Sequence, residues 1–223
     1  TIATTAATAT TAATAATTTT IAFAAAAENE KKERSNTAGL RLIFLDIDGV
    51  ILPDTDYEHA LRTPFPDTCM AALCHILYET NAMLVLSSTW RCSDILQNRI
   101  LFEFQRYATS HSNVAGTSAL RSIQHFQYVT SSTQHSRQWE VVSFLQTAPV
   151  QDVASWVALD DDTSFVTDKR YRNACRGHYV QIQPEIGLTM DDARRAVRCL
   201  LDTPAIVPSH VDPNDTDDVQ RWR

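Results

Sequence analysis

A chain of 223 residues with 44% hydrophobic content can bury one sizeable core, and a second full domain would be cramped. The formal charge of -7 supplies no overall basic field, so neither strong binding to duplex nucleic acid nor attachment to an anionic membrane is expected. Five cysteines, Cys69, Cys74, Cys92, Cys175 and Cys199, form an odd set with no C-x-x-C pair, which fits neither a disulfide framework nor a zinc knuckle and points to reduced thiols in the cytoplasm.

Residues 1–27 are almost entirely threonine and alanine, and "ENEKKERSN" then adds a burst of charge. Such a stretch offers no apolar face, so residues 1–36 are predicted to be disordered; they resemble neither a signal peptide nor a membrane span. Residues 37–204 form one predicted domain, in which short apolar runs alternate with helical patterns, the signature of a parallel sheet with crossover helices. In chain order we predict a strand at "RLIFLD" (41–46), a helix from Pro66 to Thr80, a strand at "MLVLS" (83–87) and a helix from Ser93 to Tyr107. A weaker strand signal, "NVAGT" (113–117), precedes a helix from Arg137 to Gln146 and strands at "SWVALD" (155–160) and "HYVQIQ" (178–183). The last helix runs from Thr189 to Leu201, with Thr189 as N-cap and acids in its first turn. The tail, 205–223, is polar and proline-punctuated, as expected of a surface-wrapping or disordered segment.

The stretch "LIFLDIDGVI" ends a buried strand in two carboxylates, which repel and resist desolvation unless a cation sits between them. In an open parallel sheet, ligands bind beyond the carboxyl ends of the strands. The polar residues gather there: Asp46 and Asp48 after the first strand, Ser87 and Ser88 after the second, and Asp160, Asp161 and Asp162 after the fourth. Oxygen-only ligands from two strands suit Mg²⁺ and neither zinc nor copper. The histidines lack metal-ligand spacing; His111, His125 and His135 could line an entrance but fit solvated loops better. Taken singly, the motifs have blander readings. A D-x-D-G could be half an EF-hand, but Val50, Ile51 and Leu52 stand where that loop needs polar residues. A D-x-D also occurs in nucleotide-sugar glycosyltransferases, which leaves "SSTWR" and "DDD" unexplained, and a receiver domain would place its acidic pair first and a lysine last. The triplet "DDD" alone would be a solvated turn; its pairing with "DIDGV" gives it function.

Strand then "DIDGV", strand then "SS", a basic residue heading a helix, and strand then "DDD" together resemble the haloacid dehalogenase (HAD) superfamily. More narrowly, "LSSTWR", the Arg137-x-x-Glu140 helix start, "WVALDDD" and "GLTMDDA" are similar to the small HAD domains of Swiss Army Knife RNA repair proteins. The resemblance implies an α/β, Rossmann-like three-layer sandwich around a mostly parallel five-stranded sheet. It also implies Asp46 as a nucleophile that forms an aspartyl-phosphate and Asp48 as acid and then base, its backbone carbonyl helping to hold Mg²⁺. Gly49 would allow the sharp turn, Ser87 (or Ser88) would bond a phosphoryl oxygen, and Asp160 and Asp161 would position the metal, with Asp162 a possible third party. One departure stands out: no lysine occurs between Lys32 and Lys169, where the family places its basic group. Arg137 is the first substitute and Arg121 the second, although a guanidinium is no drop-in for an ammonium. Arg91 is expected either to grip a substrate phosphate or to pair with Asp94 or Glu103, and Trp90 to serve packing. The gaps between motifs leave no room for a cap domain, and an uncovered site suits a macromolecular phosphate, such as an RNA or DNA end or a phosphoprotein. The expected function is therefore a monomeric, Mg²⁺-dependent phosphomonoester hydrolase. The alternative is a HAD-like binding or regulatory module that has lost turnover.

Overall fold

Period-two alternation sets the architecture. In β1 (Leu40–Leu45), Ile43 and Leu45 face one buried cluster while Leu42 and Phe44 face another. Apolar residues on both faces of one strand require a layer on each side of the sheet, which is why the central strands read as continuous apolar runs. The computed structural model describes residues 39–53, 62–131, 136–147, 153–167, 169 and 171–204. The segments expected to be disordered or surface-wrapping, 1–36 and 205–223, lie outside the described residues, as does His135.

After β1 come α1 (Asp67–Thr80), β2 (Met83–Leu86), a 3-10 turn (Thr89–Cys92), α2 (Asp94–Ser110), α3 (Thr117–Ser122) and β3 (Tyr128–Val129). Then follow α4 (Arg137–Thr147), β4 (Val153–Asp160), α5 (Ser164–Thr167), α6 (Arg172–Cys175), β5 (Tyr179–Gln181) and α7 (Met190–Asp202). All strand pairings are parallel, in the order β3-β2-β1-β4-β5. One face packs on α1, α2, α3 and α7 through residues such as Leu73, Phe104, Leu120 and Ala196. The other packs on α4, α5 and α6 through Val141, Phe165 and Cys175, around Phe44 and Trp156 in an edge-on contact at 5.8 Å. The fold is the three-layer α/β sandwich expected. Thr189 caps α7 as expected, and Asp192 closes a reciprocal capping box, a device that stabilises a helix start by about 1 kcal/mol.

One element differs. "NVAGT" forms no strand: Gly116 adopts φ +88° and abuts α1 so closely that a Cβ would collide with the Cys74 carbonyl, while Thr117 starts α3. The edge position is taken by Tyr128 and Val129, which pair with Val85 and Leu86. Two residues are too few to show a period, so this strand left no pattern to read.

The strand order reverses at β1, with β2 on one side and β4 on the other, so the carboxyl ends of these three strands form the crevice where α/β sheets bind ligands. Between β1 and β2 the described residues form a turn and α1; between β2 and β4 they form the 3-10 turn, α2, α3, β3 and α4. Among the described residues no folded cap is inserted at either point. No helix among them is long and apolar enough to cross a membrane. All five cysteines are free thiols, with Cys69, Cys74 and Cys175 buried and Cys92 exposed.

Candidate active site

Asp46 leaves the end of β1 almost completely buried, its backbone N–H still donating to the Leu159 carbonyl. One carboxylate oxygen, Oδ1, accepts from the Ile47 N–H at 2.8 Å, and the other, Oδ2, faces Arg137 Nη2 at 3.3 Å. Asp160 ends β4 beside it, 2% exposed, and Oδ1 of Asp160 accepts the Asp162 N–H at 2.9 Å. Asp46, Asp160 and Asp161 each bring a carboxylate oxygen within 4.8 Å of the others, a grouping that could hold a metal ion. Asp162, named as a possible third party, lies outside that grouping, and its Oδ1 accepts the Ser164 N–H at 2.7 Å at the start of α5. Gly49 turns the chain directly after Asp48 at φ +71°, where a Cβ would stand 2.8 Å from Asp161 Oδ2 and 3.0 Å from Pro184 Cβ. Only glycine fits both the backbone and the space.

Burial shifts these acids. It raises the Asp46 carboxyl from the ordinary 3.8 to about 6, helped by Asp161 and opposed by Arg137, the Ile47 N–H and the Ser88 hydroxyl. Burial, then the Asp46 charge, pushes Asp160 well above its ordinary value against the pull of Arg137. Arg137 is the one arginine found on these acids among the described residues. Its Nε lies 3.7 Å from Asp160 Oδ2, its Nη1 lies 3.6 Å from Glu140 Oε2, and Nη1 also donates to the Ser87 carbonyl. Burial works against its charge, but Asp46, Asp160, Glu140 and Asp162 outweigh that and raise its pKa. Arg121, the second candidate, donates to the Ala108 carbonyl in the last turn of α2 and is not among the groups on the acids.

Strand β2 stops at Leu86, so both serines lie beyond it. The Ser88 hydroxyl lies close enough to the Asp46 carboxylate to lower its pKa and accepts the Trp90 N–H at 3.3 Å. Ser87 contributes its carbonyl to Arg137, and its Oγ lies 3.5 Å from Thr130 Oγ1. Arg91 pairs with neither Asp94 nor Glu103. Its guanidinium, with the side chain 5% exposed, meets Glu140 at 2.9 Å and donates to the Ser88 and Ser131 carbonyls. Glu140 is thus a buried carboxylate between two arginines, one of which also holds Asp46. Asp48, unlike Asp46, is exposed, and its Oδ2 accepts the Trp90 indole N–H at 2.8 Å. On the far side, the Tyr179 hydroxyl donates to the carbonyls of Asp160 and Asp162, bracing the acidic loop. Thr130, just past β3, and Tyr179, on the edge strand β5, carried no signal in the sequence, since a lone hydroxyl has no motif; Glu140 was visible only as the partner spacing of Arg137. His111 stacks on Tyr107 at 4.3 Å, and His125 lines an open cleft of about 510 Å³ by the amino-terminal ends of β1 and β2, the end opposite the acids.

A parallel sheet whose central strand delivers D-x-D-G, flanked by a hydroxyl-bearing strand end and a second acidic strand end, defines a HAD-type domain, a class with phosphatase-type hydrolase chemistry. The profile of the family described as "HAD domain in Swiss Army Knife RNA repair proteins" matches residues 42–193, and the chain belongs to that family. Neither the curated proteins nor the solved structures include a match.

Proposed function

We propose that this protein is a phosphomonoester hydrolase that requires Mg²⁺ and works through an aspartyl-phosphate on Asp46. The observation that carries this is the convergence of Asp46, Asp160 and Asp161 at one buried point, with Arg137 across two of them. Three hard oxygen donors and one guanidinium leave negative charge uncompensated, and the donor set fits Mg²⁺. Asp46, Asp160, Asp161 and the Asp48 carbonyl would hold the ion, which supplies charge neutralisation and orientation of the phosphoryl group.

The chain's own residues do the rest. The Asp46 carboxylate attacks phosphorus, the ester P–O bond breaks, and the departing oxygen takes a proton from Asp48. Asp48, now ionised, takes a proton from a water molecule as that water attacks the phosphorylated Asp46, which releases inorganic phosphate and restores both side chains. Hydroxyls of Ser87 and Ser88 bond phosphoryl oxygens, with Ser88 nearer the nucleophile. Arg137 offsets charge on the transferring group, the role lysine fills elsewhere in the superfamily. Arg91 braces Glu140, and through it Arg137, in place of gripping substrate. The lack of a folded cap over the site among the described residues, together with the family's description, supports an exposed macromolecular phosphate, foremost a nucleic-acid end, as substrate for a monomer in the cytoplasm.

The test is a Mg²⁺-dependent assay over p-nitrophenyl phosphate, phosphopeptides and 3′- or 5′-phosphorylated oligonucleotides, with Asp46→Asn as control. Phosphate release by the wild type alone supports the proposal. Full turnover in Asp46→Asn would overturn the mechanism, and absence of turnover with intact ligand binding would favour the binding-module alternative, which rests on arginine replacing lysine.

A further inference from the structure

Asp48 is the exposed member of the D-x-D pair, so burial alone would admit rotamers of its carboxyl that face away from substrate. A donor from 42 residues further along the chain prevents this: Trp90 Nε1 reaches Asp48 Oδ2 at 2.8 Å. That donor is itself fixed. The indole is 3% exposed, its backbone N–H is held by Ser88 Oγ, and its ring packs beside Phe65 with centroids 6.2 Å apart. Phe65 is anchored in turn, its N–H donating to Glu103 Oε2, a carboxylate that Arg99 and Arg106 hold at 2.9 and 2.7 Å. Each link is buried or ion-paired, so the indole N–H has little freedom to follow a wandering carboxyl.

We infer that Trp90 is a positioning residue for proton transfer: it tethers one oxygen of Asp48 so that the other edge of the carboxyl meets the leaving group at every turnover. This role rests on the phosphohydrolase chemistry proposed above. Indole suits the task because it donates and never accepts, whereas a hydroxyl or an amide could reverse its bond or flip. Packing alone would not require the indole nitrogen to face a carboxylate.

The experiment compares wild type with Trp90→Phe, which keeps a ring and removes the donor, on an alkyl phosphate and on an activated aryl phosphate whose leaving group needs no proton. General acid–base assistance is worth about 10² to 10⁴ in rate, so loss of its alignment should slow alkyl-phosphate turnover by roughly 10² with little change in KM. The burst of phosphoryl-enzyme from the aryl ester should stay within about threefold of wild type, because that step needs no acid. Trp90→His, which retains a ring N–H, should recover part of the alkyl activity. An independent readout uses wild-type Trp90: its indole Nε1–H resonance should move when Asp48→Ala is introduced, while the signals of the other tryptophans stay in place. Equal loss in alkyl-phosphate turnover and in the aryl-ester burst, or an indole resonance indifferent to Asp48→Ala, overturns the positioning role and leaves the phosphatase proposal standing. A wild type that never phosphorylates Asp46 overturns both.

Discussion

Arg137→Ala removes the guanidinium that lies 3.3 Å from Asp46 Oδ2 and 3.7 Å from Asp160 Oδ2. At an effective dielectric of about 20, each of these separations corresponds to about 5 kcal/mol of gross attraction. Much of that attraction acts in the ground state too and cancels from the rate. The part specific to the transition state, where charge spreads over the phosphoryl oxygens, is about 3–4 kcal/mol when one such stabilising group is lost, a factor of roughly 10² to 10³. The variant also leaves the Asp46 carboxyl, already raised to about 6, without the charge that lowers it most. In the metal-free protein a smaller fraction of that carboxyl is then ionised at neutral pH. The fold should survive, because Glu140 keeps Arg91 at 2.9 Å. Arg137→Lys should recover about tenfold: an ammonium can sit between the two acids, yet it cannot also reach the Ser87 carbonyl and Glu140 as a planar fork does. The assay is single-turnover phosphorylation from an aryl phosphate at saturating Mg²⁺, with melting temperature as the control for folding. A single-turnover rate in Arg137→Ala within threefold of wild type would refute the assignment.

Stability of the metal-free protein should depend on pH in a defined sense. A carboxyl that binds its proton more tightly folded than unfolded stabilises the native state below the unfolded pKa and loses that contribution as pH rises through the folded value. Asp46, at about 6 against the ordinary 3.8, accounts for about 3 kcal/mol, and Asp160 acts in the same direction. Urea denaturation in EDTA should therefore show stability falling from pH 4 to pH 7, and saturating Mg²⁺ should flatten or invert that slope; a rise with pH in EDTA would contradict the burial argument. Calorimetry should show Mg²⁺ binding weakened at least tenfold in Asp160→Asn and Asp161→Asn and nearly unchanged in Asp162→Ala, which should instead lower the melting temperature by removing the acceptor of the Ser164 N–H. Gly49→Ala places a methyl 2.8 Å from Asp161 Oδ2 at positive φ, so it should cost about 1–2 kcal/mol of stability and reduce Mg²⁺ affinity; wild-type affinity in a folded variant would show that Asp161 is not a ligand.

The sequence by itself determined the parallel α/β class, the central strands and the acids at their ends. Strands buried on both faces must be apolar throughout, so the abrupt change from "LIFL" to "DIDG" and from "WVAL" to "DDD" marks both the strand end and the crevice. The cap of α7 was equally legible, because capping is local: Thr189 and Asp192 are three residues apart. Tertiary structure decided what no local pattern encodes. The edge strand Tyr128–Val129 exists because Val85 and Leu86 offer it a ladder, whereas "NVAGT" has strand-like residues but a glycine pressed against α1. That Arg137 and not Arg121 lies on the acids follows from α4 preceding β4 in the chain, while α3 packs Arg121 onto the end of α2. Arg91 meets Glu140 across 49 residues, and Trp90 meets Asp48 across 42. Near neighbours along a chain are chosen by propensity and period, which sequence displays. Partners this distant are chosen by the packing of whole helices and strands, and only the folded chain brings their side chains within hydrogen-bonding reach.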